Sequence, residues 1–442
     1  MQSRRFLWLL ALLVALFAAH ALLLEHQIFG DGVLRAEAVR ALALEGRLTG
    51  ARYSIVGPMF AAPLCWLDAL LGTGDALLSR YNLILLAIGT AVLMRAIARS
   101  QALGARSNEL AATFGVLVMT ASMFPFAATT FYGETFSAVT IGLGLYGLTV
   151  GWRLRAWTLL VLGVCNTPPL LLPLAMIAGL RAIAAKDLRP LLVPVITLSL
   201  VLLENLLRRG DIGAFGYAAD GKGPPGLMPY TGLGGFSYPL LLGVYGLLLS
   251  PGVGLLFYAP GLFLLGMGKG PGSVLRATVR LWLLFIAGTV LAYAKWWCWH
   301  GMVYWGPRYL LLAVFPTCLL LAWFARRHDL SLRANLLTLV VLTGSFWVGA
   351  NGAAHLFRGL ELEPALTAAD GVPCLYAPEM SALVYPFLKP SLPRPEAWGY
   401  LALVLVAFAA IAGPVALRVL RQLPEGLSRL RASWVATVQA RA

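Results

Sequence analysis

The chain reads as an all-α, polytopic membrane protein of about twelve spans, on three observations. It has 442 residues, 60% hydrophobic and only 12% charged, with a mean hydropathy of +0.80. Soluble domains carry about 25% charged and 45–50% apolar residues, so the bilayer must be the solvent. Apolar runs of spanning length follow one another along the whole chain. Finally, the net charge of +15 sits in short loops between those runs. A nucleic-acid binder would gather its basic residues on solvated aromatic patches instead. The five cysteines (65, 165, 298, 318 and 374) form no C-x-x-C pair and carry no metal or redox signature.

Taken in order, the expected crossings are 6–24, 80–98, 109–127, 134–151, 157–166, 168–180, 190–206, 253–268, 279–294, 309–325, 334–350 and 398–418. Arg4, Arg5 and the Ala19-His20-Ala21 triplet resemble a cleaved signal peptide, but the apolar run continues to Leu24, so it reads as a retained span. Residues 157–180 are interrupted by Asn166-Thr167-Pro168-Pro169, and paired prolines break the helical ladder. They are therefore expected to form a hairpin of two short helices. Residues 55–72, with Gly57-Pro58, Pro63 and Asp68, and residues 237–249 are expected to be helices on the outer surface.

Charge decides the parity. With the N-terminus inside, the inner segments hold 21 of the 34 basic residues and four acids, a net +17, and everything else sums to −2. Merging 157–180 into one span would move every later basic loop outside, against the positive-inside rule. Residues 1–442 thus form one transmembrane domain, with outer loops 25–79, 207–252 and 351–397 and no separate soluble domain.

The outer loops hold the chemistry-bearing residues. In Glu25–Tyr53, Asp31 lies between two glycines ahead of an Ala- and Leu-rich helical run. It is either an N-cap or a carboxylate held at the membrane surface with free backbone approach on both sides. Arg52 and Tyr53 close the same loop and are further candidates. The junction YAKWWCWHGMVYWGPRYL, 293–310, packs four tryptophans and three tyrosines around Lys295, His300 and Arg308. Interfacial aromatics are ordinary, but this run is continuous, and charges at such depth are functional candidates. Arg308 follows Gly306-Pro307 at the start of a span, and a planar guanidinium matches phosphate oxygens. Trp296, Trp299, Tyr304, Trp305 and Tyr258 offer faces for a sugar ring or an isoprenoid chain. Together they suit an amphipathic phosphorylated lipid. Glu134 opens the fourth span, where it also complements the helix dipole. Glu204, Asn205, Arg208 and Arg209 read as a local salt-bridge cluster. The Walker, G-x-S-x-G, H-E-x-x-H and Rossmann motifs do not occur.

From Asp31 to about Ala325 the order of features resembles the integral membrane glycosyltransferases of the GT-C superfamily, most nearly bacterial family-39-like members related to protein mannosyltransferases. The resemblance rests on FGDGVLRAEAVRALALEG, GPMFAAPLCWLDALLG, FYGETFSAVTIGLGLY and NTPPLLLP. It rests most specifically on LLLSPGVGLLFYAPGLFLL, which includes Tyr258, followed by WWCWHGMVYWGPRYLL. It implies a GT-C-like fold, a polyprenyl-phosphate-linked sugar donor, and a glycan, lipid or protein acceptor whose hydroxyl attacks the anomeric carbon with inversion. The implied site faces the outside of the cytoplasmic membrane. Asp31 would be the general base, its carboxyl raised above about 3.9 by apolar surroundings. Arg308, with Lys295 or His300, would hold the leaving phosphate. Many members carry two adjacent acids where this chain has Asp31 alone, with Glu37 six residues on. A divalent cation finds little support there, because it wants several oxygen ligands, and no other cofactor is expected. The competing class is a transporter or flippase that moves a lipid-linked sugar or phospholipid without chemistry.

The charge split makes a labelling prediction. Cysteines introduced at Ala36 and Ala365 should react with a membrane-impermeant thiol reagent from outside, and one at Ala436 should not. Outside labelling at Ala436 would sink the twelve-span parity.

Overall fold

A computed structural model describes residues 4–99, 107–214, 235–267, 273–301, 304–354, 375–388 and 393–439. The Met302-Val303 pair, residues 215–234, 355–374 and 389–392 of the two later outer loops, and with them Ala365, fall outside these. Among the described residues the chain is all-helical, with no strand and a single isolated bridge between Gln27 and Thr130.

The first apolar run is helix α1, Arg4–Leu23, and the Ala- and Leu-rich segment after Asp31 is α2, Asp31–Glu45. Two short helices follow, α3 over Val56–Met59 and α4 over Ala62–Leu71, then α5, Tyr81–Ala98. Next come α6, Ser107–Thr120, α7, Phe124–Ala127, and α8, Glu134–Val150. The Asn-Thr-Pro-Pro break separates α9, Arg153–Asn166, from α10, Leu171–Ala185, as expected, with a 3-10 turn over Pro168–Leu170. Helix α11 covers Leu192–Arg209, α12 Leu240–Leu249 and α13 Leu255–Tyr258. The remainder are α14, Ser273–Ala294, α15, Val314–Arg326, α16, Leu332–Ala354, α17, Tyr385–Leu388, and α18, Ala397–Gln439.

Eight helical segments among the described residues are long and apolar enough to cross a membrane: 4–23, 78–98, 168–185, 189–209, 273–294, 308–326, 332–354 and 397–426. The other expected crossings differ. Residues 109–127 are α6 and α7 joined by a turn, and α8 and α9 have 17 and 14 residues. The run 253–268 is not one helix. Pro260 has no N–H to donate and disfavours helical backbone before it; Ala259 sits at φ −132°, ψ 55°, between the four-residue α13 and a 3-10 segment over Pro260–Gly266.

Small residues set the central packing. The α8–α9 pair runs antiparallel and close. A Cβ at Gly144 would lie 2.9 Å from the Ala156 carbonyl, and one at Gly163 would lie 2.6 Å from Thr140 Oγ1. The Ser137 hydroxyl donates to the Gly163 carbonyl at 2.8 Å. Close approach through small residues is how helices associate where no hydrophobic force acts between them. Helix α10 returns to the far end of α8, where Arg181 donates to the Leu148 carbonyl at 2.9 Å. At that far end Arg326 also pairs with Glu109, and Arg418 reaches the Ala325 carbonyl at 3.0 Å and Asn335 Oδ1 at 3.0 Å. The near end gathers 24–57, 127–134, 166–170, 204–212, 294–301 and 304–309.

Ala36 is fully buried, because α2 packs that face against α3 and α4, so it is a poor labelling position. Leu48 is 44% exposed at the same end and Leu188 is 74% exposed at the other. Leu48→Cys should therefore label from outside and Leu188→Cys only after permeabilisation; the reverse pattern would invert the orientation.

Candidate functional site

The first loop is tied to the segment before α8. The Gln27 amide donates to the Thr129 carbonyl at 2.9 Å. Buried Asn82 donates from its amide to the Thr130 and Tyr132 carbonyls at 2.6 and 2.9 Å. These bonds bring Asp31 beside Tyr132 and Glu134, a hundred residues away in the chain.

Asp31 is the first residue of α2, and Gly30 before it makes no side-chain cap. Its carboxylate has partners outside the helix. Arg308 Nη1 donates to its Oδ2 at 2.8 Å, and the Tyr53 hydroxyl donates to it as well. The flanking glycines have a steric cause. Gly30 has φ 52° and ψ −128°, and a Cβ there would meet the Tyr132 hydroxyl at 2.3 Å; at Gly32 it would meet Phe131 Cβ at 3.3 Å.

Arg308 stands on the other side. Gly306, at φ +73°, lies against the Tyr258 ring, and Gly301, at φ +77°, leaves room for the arginine stem. The guanidinium lies between two acids: Nη1 on Asp31, and Nε 3.5 Å from Glu134 Oε1. The rings of Tyr132 and Tyr309 face it at 5.2 Å and that of Tyr304 at 6.0 Å. The arginine side chain is 8% exposed and the Asp31 side chain 22%. Glu134, the first residue of α8, is therefore part of the site and not only a partner of the helix dipole.

The electrostatics correct one expectation. Burial does push the Asp31 carboxyl up. The Arg308 charge, the bonds from Tyr53 and Arg308, and the Arg35 charge outweigh it, so Asp31 falls below the ordinary carboxylate range. It is a carboxylate at neutral pH. His300 is buried beside Arg308, and burial together with that neighbouring charge pushes it down to about 4. It is neutral at physiological pH and cannot contribute a second cation. Lys295 is exposed, and its backbone carbonyl receives the Tyr238 amide at 3.0 Å; no contact among the described residues joins its side chain to Asp31 or Arg308.

The aromatic candidates divide. Tyr304 stacks on Tyr132 with centroids 5.4 Å apart, inside the site. Trp296 is half-buried and packs on Phe236. Trp299, Trp305 and Tyr258 are packed into the core: Gly246 lies against the Trp299 ring, Gly352 against Trp305, and the Tyr258 hydroxyl donates to the Gly252 carbonyl at 2.9 Å. They brace the Arg308 segment, because burial inside the bundle leaves them no free face for a ligand. Arg52 and Tyr53 are at the site, with the Tyr53 ring 4.8 Å from the Arg35 guanidinium and 5.2 Å from that of Arg52.

Three residues were not foreseen in these roles. Arg35 is 6% exposed, donates to Asn166 Oδ1 at 3.3 Å and lies against Gly133. Its signal was present, since Asp31 and Arg35 are spaced i,i+4 on one helix face. Asn166, foreseen only as a helix break, accepts from the Gly57 amide at 3.2 Å and donates to the Gly133 carbonyl at 2.8 Å. Tyr132 had no local signal. Glu37 is exposed on the opposite face of α2 and adds nothing to the site.

Beside Glu134 opens a small cavity, with room for about one water molecule. It is lined by Glu134, Ser137, Thr167 and Tyr309 together with apolar side chains, Leu170 and Phe285 among them. No group of three or more His, Cys, Asp or Glu able to hold a metal occurs among the described residues. Asp31 and Glu134 share one guanidinium, which a bridging cation would have to displace, so the donor set does not fit a divalent metal.

Comparison of the chain with protein-family models, with curated proteins and with solved structures returns no match.

Two outcomes follow from this geometry. Gly30→Ala forces a side chain into strained backbone and onto Tyr132, so the folded state should lose roughly 1–3 kcal/mol. An unchanged melting temperature would refute the close approach. His300 is charged in the unfolded chain below about pH 6.5 and neutral when folded down to about 4. Its contribution to stability is therefore complete above about pH 6.5 and is lost as pH falls toward 4. The melting temperature of His300→Gln should fall less than that of the wild type between pH 7 and 4; parallel curves would contradict the assignment.

Proposed function

We propose that the protein is a membrane glycosyltransferase that moves a sugar from a polyprenyl-phosphate donor to an acceptor hydroxyl, with inversion. On this reading α6–α7, α8, α9 and the broken 253–268 segment complete twelve crossings in a GT-C-like arrangement. The +17 end lies in the cytoplasm and the Asp31 end faces the periplasm or cell exterior. One observation carries the reading: Asp31 is ion-paired to a buried arginine, and Glu134, which shares that arginine, also lines a small cavity whose other lining residues are mostly apolar. A donor phosphate at the arginine, with its isoprenoid chain along the apolar side chains beside Glu134, fits that arrangement.

The charges suggest how the site works. The donor phosphate competes for the Arg308 fork, which binds phosphate as well as it binds a carboxylate. As Arg308 turns from Asp31 to the phosphate, Asp31 loses its strongest acidifying neighbour and becomes more basic. Its oxygens are then available to the acceptor hydroxyl. The acceptor oxygen bonds to the anomeric carbon as the carbon–phosphate-oxygen bond breaks. The hydroxyl proton passes to Asp31 and then to water, and polyprenyl phosphate leaves as an anion paired with Arg308. Neutralising charge where it develops is usually the largest catalytic contribution.

The test is turnover of labelled polyprenyl-phosphate sugars by the purified protein in lipid nanodiscs. Asp31→Asn should lower turnover by roughly two to four orders of magnitude, the usual range of general-base help, with folding retained. Arg308→Lys keeps the charge but loses the fork, so it should weaken polyprenyl-phosphate binding clearly, and Arg308→Ala more so. Near-normal transfer by Asp31→Asn would return Asp31 to a structural role. Movement of a lipid-linked sugar across liposomes without its consumption would replace the transferase with a flippase.

A further inference from the structure

Residues 49–55 connect the helical part of the first loop to α3 without regular structure. A backbone of this kind needs partners for its polar groups, and the last turn of α11 supplies them for four carbonyls and one amide. Arg208 donates from Nε to the Thr49 carbonyl at 2.9 Å, from Nη2 to Ala51 at 3.1 Å and from Nη1 to Tyr53 at 2.7 Å. Arg209 Nη2 donates to the Ala51 and Arg52 carbonyls at 2.6 and 2.9 Å. Glu204 accepts from the Ser54 hydroxyl and the Ile55 amide, both at 2.8 Å, and from Arg208 at 2.6 Å. The Arg208 side chain is 1% exposed.

A plain helix C-terminus does not explain this. Basic residues there interact favourably with the helix's own last carbonyls, whereas these arginines send their donors out to another segment. That segment carries Tyr53 at its centre. The Tyr53 carbonyl is on Arg208, its ring lies between Arg35 and Arg52, and its hydroxyl is on Asp31. We propose that Glu204, Arg208 and Arg209 are positioning residues, which act through residues 49–55 to hold the Tyr53 hydroxyl on Asp31. The catalytic part of this proposal rests on the transferase reading; the positioning part does not.

A lysine at 208 keeps one charge but cannot fork across three carbonyls. Two measurements on the full chain in nanodiscs separate positioning from general support. The first is the ¹⁹F resonance of 3-fluorotyrosine incorporated at position 53; Arg208→Lys should shift or broaden it while the melting transition stays cooperative. The second is a double-mutant cycle. Arg208→Lys should lower kcat about tenfold with the donor KM unchanged, within the range that coupled neighbours show, and should cost nothing further in a Tyr53→Phe background. Arg209→Lys, which gives up the bonds to Ala51 and Arg52, is read in the same way if Arg208→Lys does not fold. An unmoved ¹⁹F resonance, or losses that add in the Tyr53→Phe background, overturns the proposal. A moved resonance in a protein that transfers no sugar removes the glycosyltransferase reading and leaves the positioning intact.

Discussion

The site is organised around the need to neutralise one buried guanidinium. Arg308 opens a segment whose surroundings are mostly hydrocarbon, and a charge in such a place is tolerated only with partners. Two acids supply them, Asp31 at 2.8 Å and Glu134 at 3.5 Å, from helices that begin 277 and 174 residues away in sequence. Three tyrosine rings fill the space that water would otherwise enter. The arrangement of α2, α8 and the 308–313 segment is therefore coupled: removing one acid leaves a charge under-compensated, and breaking a buried pair is far more damaging than never having built it.

The same requirement recurs one step further out. Arg35 shares a face with Asp31 and is held by Asn166, whose side-chain amide also fixes the Gly133 carbonyl next to Glu134. Asn166 closes the α9 end of the α8–α9 pair, so helix packing and site geometry are set by one side chain. Arg208 and Arg209 repeat the pattern on the 49–55 segment. Around Asp31, the planar, many-donor heads of arginines serve as braces for loops that lack a ladder of their own.

The aromatic junction shows how composition can mislead about role. Its density suggested ligand-facing rings, yet Trp299, Trp305 and Tyr258 are core residues pressed against glycines at 246, 352 and 306. Indoles are large enough to fill the gap between a bent 3-10 segment and its neighbours, and the glycines make that approach sterically feasible. The apolar residues beside Glu134, Leu170 and Phe285 among them, are of types unremarkable in any membrane helix.

The sequence alone determined the helical membrane class, the break at Asn166-Thr167-Pro168-Pro169 and the separation of a basic end from the rest, because these follow from local hydropathy, proline chemistry and charge counts. It also singled out Asp31 and Arg308, since a carboxylate between glycines and an arginine at a span start are locally unusual. Tertiary structure alone decided that these two residues pair with each other and that Glu134 joins them. It also decided that Asp31 is made more acidic rather than less, that His300 is neutral and that Lys295 stands apart. It broke the expected 253–268 span as well. Pairing across hundreds of residues, and a pKa set by the sum of burial and neighbouring charges, depend on distances that no local pattern encodes.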